Sequence, residues 1–227
     1  MINIAANLAS VQNDMMEASN QAKRSSDSVS LLAVSKTKPL SLIQQAYNAG
    51  QRDFGENYVQ EFVDKVQKLH NLQDITWHFI GPIQSNKTRL IAESADWVHS
   101  IDRIKTAKRL NEQRDTNITP LNVCLQVNIS GEASKSGVAI NEVAELAEFI
   151  HNCDNLTFRG LMAIPAKGDE NSTRNSFLKM QTLFNELAHQ YPSVDTLSMG
   201  MSGDMQVAIE CGSTMIRVGT AIFGARE

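Results

Sequence analysis

Short apolar runs alternate with helical runs eight times along this chain, and few folds accept that pattern. An amphipathic helix over 3–24, with Ile4, Leu8, Val11 and Met15 at helical spacing, precedes the first strand. Strands are predicted at 29–35, 52–55, 76–80, 97–99, 121–127, 156–162, 196–198 and 215–218. Helices are predicted between them at 39–50, 58–69, 86–93, 103–113, 142–151, 172–189 and 204–211. Pro39 and Gly50 punctuate the first of these, with proline near the start and glycine just past the end. Strands separated by helices pair in parallel, and eight such units close into a (β/α)8 TIM barrel. An open doubly wound sheet is the competing fold, but no G-x-G-x-x-G follows the first strand.

The 227 residues, 42% of them hydrophobic, suit one domain over 1–227 with the extra helix at its N-terminus. Such barrels typically use about 250 residues and sometimes ~200. A net charge of -4 with scattered Lys and Arg argues against a nucleic-acid partner. An anionic ligand must then be held by a local site. Cys124, Cys153 and Cys211 are odd in number and form no C-x-x-C, so a reducing compartment is expected and a structural zinc is not. Met1-Ile2-Asn3-Ile4 leads into a polar segment, and no run is long enough to span a bilayer. A soluble, cytoplasmic protein is the expectation.

In a (β/α)8 barrel the chemistry sits on loops that follow the strands. The first strand ends Ala33-Val34-Ser35-Lys36-Thr37-Lys38-Pro39, which puts Lys36 where an apolar strand opens into the barrel mouth. A lysine there can serve as a Schiff-base amine, or it can be a solvated strand-end lysine. The seventh unit reads Leu197-Ser198-Met199-Gly200-Met201-Ser202-Gly203-Asp204, offering hydroxyls and amides for an anion, or simply a glycine-rich turn. The eighth reads Arg217-Val218-Gly219-Thr220. Phosphate sites in barrels are frequently built from these two loops, so the pair points to a phosphate ligand. Asn57, after strand two, and His78, within strand three, are candidates for a pocket lining. A hydrogen-bonded core histidine is the alternative for His78. Lys135, in the loop beyond strand five, is a candidate contact or an ordinary exposed lysine.

Several segments are long enough to be distinctive. They are the 33–39 strand end, Phe54-Gly55-Glu56-Asn57-Tyr58-Val59-Gln60-Glu61, and Trp77-His78-Phe79-Ile80-Gly81-Pro82-Ile83-Gln84-Ser85-Asn86-Lys87. To these are added Gly160-Leu161-Met162, Ser198-Met199-Gly200-Met201-Ser202 and Arg217-Val218-Gly219-Thr220-Ala221-Ile222-Phe223-Gly224. Together they resemble the pyridoxal 5′-phosphate (PLP) homeostasis protein family, in order and over the whole chain. The resemblance implies the barrel of fold-type III PLP proteins, similar to the N-terminal barrel of alanine racemase. It implies that Lys36 is the Schiff-base lysine and that Ser198, Met201, Ser202, Gly219 and Thr220 hold the phosphate. It further implies that Arg217 faces the pyridine nitrogen, with Asn57 and His78 lining the ring pocket. The resemblance also suggests Lys38, Tyr58 and Lys135 as further contacts for PLP or another B6 vitamer. Gly203, after Ser202, is a small departure that removes no amide.

The same resemblance implies a monomeric carrier that passes PLP to PLP-dependent apoenzymes and so affects amino- and keto-acid metabolism. The alternative is an amino-acid racemase. An always-charged arginine at the pyridine nitrogen weakens the cofactor as an electron sink but remains compatible with racemisation. Racemisation also needs a base on one face of the substrate and an acid on the other. Alanine racemase takes one from a domain beyond the barrel, for which the residues after Val218 are too few. Tyr58 or His78 is the alternative source of that acid, but no catalytic residue is expected.

Overall fold

A computed structural model describes residues 2–132, 135–166 and 168–225. Eight parallel strands close on themselves in chain order, each hydrogen-bonded to its sequence neighbours and β8 returning to β1. They are β1 (Ser30–Val34), β2 (Asp53–Glu56), β3 (Thr76–Phe79), β4 (Trp97–Ile101), β5 (Leu121–Gln126), β6 (Leu156–Met162), β7 (Thr196–Ser198) and β8 (Met215–Val218). The (β/α)8 barrel is the observed fold. Leu31, Leu32 and Ala33 are all buried, as expected where helices cover the outer face of a parallel sheet and side chains fill its centre.

The helices are α1 (Ile4–Gln21), α2 (Leu40–Asn48), α3 (Val59–Lys68), α4 (Thr88–Ser94), α5 (Ile104–Gln113), α6 (Val143–His151), α7 (Glu170–Gln190), α8 (Met205–Glu210) and α9 (Thr220–Phe223). Their bounds lie close to the sequence reading. Short 3-10 turns at Ser85–Lys87 and Ile140–Glu142 precede α4 and α6, and α9 follows β8 where a loop was expected. At four residues, α9 is too short to show helical periodicity.

The N-terminal helix is part of the core. Ile4, Leu8, Val11 and Met15 are buried, and α1 packs on α2, α8 and α9. Asn3 caps it by accepting from the Ala6 amide at 3.0 Å, which satisfies one of the unpaired first-turn N–H groups. Asn7 donates to the Ile222 carbonyl at 2.9 Å, and Arg24 donates to those of Ile209 and Ser213 at 2.8 Å. The helix thus clasps the last strand–helix units, where the candidate phosphate loops lie. Among the described residues no helix is long and apolar enough to cross a membrane.

Candidate functional site

Lys36 occupies a turn two residues beyond β1 and is half-buried. The backbone on either side of it is held by a buried charged cluster. The Ser35 carbonyl accepts from Lys65 Nζ at 2.8 Å, and its hydroxyl donates to Glu56 Oε1 at 2.5 Å. The Thr37 amide donates to Glu61 Oε1 at 2.6 Å. Lys65 joins the two carboxylates, at 2.7 Å from Glu56 and 2.6 Å from Glu61. These bonds fix Thr37 with a positive φ of 63°, unfavourable for a β-branched residue. Burial raises the Glu56 carboxyl above its ordinary range, and Lys65 opposes that shift.

Asn57 follows directly. Among the described residues its buried Oδ1 has no hydrogen-bond partner, which leaves an acceptor open to a donor. Gly81 fixes it from behind, because a Cβ there would lie 1.9 Å from the Asn57 carbonyl oxygen. Any other residue at 81 would push the β3 loop off the β2 loop.

On the opposite flank of β1, Leu32 is in register with Arg217 and Ala33 with Val218. Arg217 is buried, and its Nη1 donates to the Ser198 carbonyl at 2.6 Å and to Ser198 Oγ at 2.9 Å. Its Nη2 donates to the Ala163 carbonyl at 2.9 Å. Burial lowers this guanidinium to about 10, still far above neutrality, so it remains cationic. Ser198 Oγ also meets His99 Nδ1 at 3.0 Å, His99 Nε2 meets His78 Nδ1 at 2.9 Å, and His78 Nε2 meets Asp53 Oδ1 at 3.0 Å. A polar chain therefore crosses the barrel interior. Both ring nitrogens of fully buried His78 are engaged by protein, which is the core-histidine arrangement and not a mouth-facing one.

The loops after β7 and β8 are open to solvent. Met201, Ser202 and Thr220 are exposed, and Gly219 is half-buried, where a Cβ would lie 3.1 Å from the Val34 carbonyl oxygen. Gly200, at φ 95°, turns the chain there, and a Cβ would strike Ala208 at 2.5 Å. The Met201 amide donates to Asp204 Oδ1 at 2.6 Å, which closes the turn. A groove of about 480 Å³ runs beside this loop, with Pro165 and Thr173 on its far wall.

The barrel thus brings Lys36, Asn57, Ser198, Met201, Ser202, Arg217, Gly219 and Thr220 to four consecutive strands, β7–β8–β1–β2. Three residues stand apart. Lys38 turns its Nζ to the Ala225 carbonyl at 2.6 Å. Tyr58 is half exposed, at 51%. Lys135 is exposed beyond β5, across the ring from β1. The sequence reading missed His99, Asp53, Glu56, Glu61 and Lys65. The i,i+4 spacing of Glu61 and Lys65 was the available signal, though it is common on solvated helix faces.

The chain matches the family described as alanine racemase, N-terminal domain, over residues 6–227. A pyridoxal phosphate homeostasis protein of Vibrio alginolyticus is 57% identical, covering 100% of this chain and 99% of that one. The chain belongs to the pyridoxal phosphate homeostasis protein family. Another member, from Escherichia coli K12, is 52% identical over 100% of this chain and 98% of its own. Among solved structures, PipY of Synechococcus elongatus with PLP bound is 37% identical, with a TM-score of 0.81 over 97% of this chain and 100% of that one. Alanine racemase from Corynebacterium glutamicum, at 15% identity and a TM-score of 0.69, shares the fold over 98% of this chain and 61% of its own. The PLP homeostasis family thus uses a barrel architecture also found in larger enzymes.

Proposed function

We propose that this chain binds PLP as a Schiff base on Lys36 and acts in PLP homeostasis as a carrier, not as an enzyme. The pairing of β8 with β1 carries this reading. It sets the Lys36 turn beside the Gly219–Thr220 backbone, so one small ligand can meet an amine and an anion loop together. The donor set fits the cofactor. Exposed Ser202, Thr220 and neighbouring amides suit a phosphate, and the orphaned Asn57 Oδ1 suits a ring substituent that can donate. Met201 contributes its place in the loop, and Ser198 acts by holding Arg217. Arg217, anchored through Nη1 and Nη2, would turn its Nε to the pyridine nitrogen.

When bound, PLP supplies an electron sink, and the surrounding protein decides how strong it is. Arginine cannot accept a proton, so it keeps the ring nitrogen unprotonated and the sink weak. The described mouth also offers no second acid opposite Lys36 apart from exposed Tyr58, since His78 is enclosed. Carriage to PLP-dependent apoenzymes by a cytoplasmic monomer, with other B6 vitamers as further ligands, completes the proposal.

The test is incubation of PLP-loaded protein with alanine or serine in heavy water. The carrier predicts α-proton exchange and D/L interconversion no faster than with free PLP. Exchange far above that control, abolished by Lys36→Ala, would establish the racemase instead.

A further inference from the structure

The polar chain inside the barrel has a fixed direction. Arg217 carries donors only, and an ionised Asp53 carries acceptors only. Ser198, His99 and His78 stand between them, each joined to the next at 2.9–3.0 Å. Because Arg217 donates to Ser198 Oγ, the serine hydrogen goes on to His99 Nδ1. His99 then carries its proton on Nε2 and donates it to His78 Nδ1. His78 likewise carries its proton on Nε2 and donates it to Asp53. Every bond points the same way, and both imidazoles are neutral. Reversing the chain would bury an imidazolium and leave the Ser198 hydroxyl with no acceptor, each costly in a dry interior.

The surroundings agree with that state. Burial first, then His78 and Arg217, hold the His99 ring well below the ordinary histidine range, so it stays neutral. Trp97 stacks on His78 with ring centroids 5.4 Å apart, and Arg159 lies 4.7 Å over Trp97 while pairing with Asp195. Cys124 and Asp204 are the other ionisable groups that act on Arg217. Asp53, the first residue of β2, sits at the strand N-termini with its side chain 36% exposed. The chain therefore links the solvent-facing rim at one end of the barrel to the guanidinium at the other.

We propose that Asp53, His78 and His99 are positioning residues for the pyridine-nitrogen site, holding Arg217 through Ser198 by a one-way chain of donated protons. This rests on the reading that Arg217 meets the ring nitrogen. Each donation polarises the next group, strengthening a bond by about 10–30% in condensed-phase estimates. The Asp53 carboxylate thus makes Ser198 Oγ a better acceptor for Arg217 and tunes the ring from the far side of the barrel.

The test has two readouts on the full-length protein. Without added cofactor, 15N spectra of the histidine rings should show His78 and His99 each protonated at Nε2 alone. With PLP bound, Asp53→Asn should move the pH midpoint of the visible band by about half a unit or more. His99→Leu should move it further, and the double variant no further than His99→Leu alone, because a chain cut in the middle no longer feels its end. Shifts that add, or a His99 proton on Nδ1, would overturn the proposal. If His99→Leu fails to fold, Asp53→Asn at the rim still decides, and an unmoved midpoint would overturn it. Arg217→Lys separates the underlying reading. If that variant leaves the band and its midpoint unchanged, Arg217 does not meet the ring, and the proposal falls even with the tautomers as expected.

Discussion

On the β1–β2 side of the mouth, the backbone around Lys36 is held under cover by Lys65, Glu56 and Glu61. On the β7–β8 side, the backbone at Ser202 and Thr220 faces solvent and is shaped chiefly by glycine. Under the proposed function, the contrast follows from what each side would supply. An amine that forms a covalent bond has to be placed before the ligand arrives, since misplacement costs reactivity. A phosphate brings its own charge and acceptors, so it can complete a loop whose donors are still wet. On that reading, cluster and loop are two answers to one ligand.

Breaking the covered side should have the largest effect. Lys65→Met leaves Glu56 buried without its partner and should cost about 3–5 kcal/mol in urea denaturation. Adding Glu56→Met should recover most of that stability, because a well-packed apolar pair often matches a buried ion pair. PLP binding should remain impaired, since the Ser35 carbonyl and hydroxyl have then lost their partners. Restored binding along with restored stability would mean that the cluster serves only the fold.

The open side should respond in affinity, not stability. Ser202→Ala with Thr220→Ala should weaken PLP by up to ~3 kcal/mol per lost charge-assisted bond, and pyridoxal far less. Both residues are exposed, so the melting temperature should barely move. Equal losses for PLP and pyridoxal would place the phosphate elsewhere.

A smaller effect comes from the interior chain that ties the two sides together. His99 has a depressed folded-state pKa, so the unfolded chain binds the extra proton first as pH falls. Its contribution is present above about 6.5 and lost below it, at about 1.4 kcal/mol per pH unit until the folded pKa is reached. His99→Leu should flatten that part of the stability–pH curve, which denaturation at several pH values would reveal. The smallest effect belongs to Lys135→Ala, across the ring. Its PLP dissociation constant should stay within about twofold of the parent, as for a surface change away from special features. A larger loss would bring the β5 loop into the site.

The barrel, and the glycine-rich turns offered here as phosphate loops, were legible in the sequence because both are written in local patterns. Apolar runs gave β1, β5 and β6, and glycine with hydroxyls marked the turns after β7 and β8. The polar groups that hold them were not. His99 and Ser198 are 99 positions apart, and only barrel closure makes them neighbours. Lys65 reads as a solvated helix lysine until α3 packs its charge against Ser35 and Glu56. His78 was open between pocket and core until the partners of both ring nitrogens were known.

The claim that most of this depends on is the identity of the lysine. Purified protein loaded with PLP should show a visible absorption band that borohydride abolishes, and peptide mapping should then find the reduced cofactor on Lys36. Lys36→Ala should remove the fixed adduct while leaving the fold intact. Reduced cofactor on Lys38 or Lys135, or an undiminished adduct in Lys36→Ala, would contradict the account.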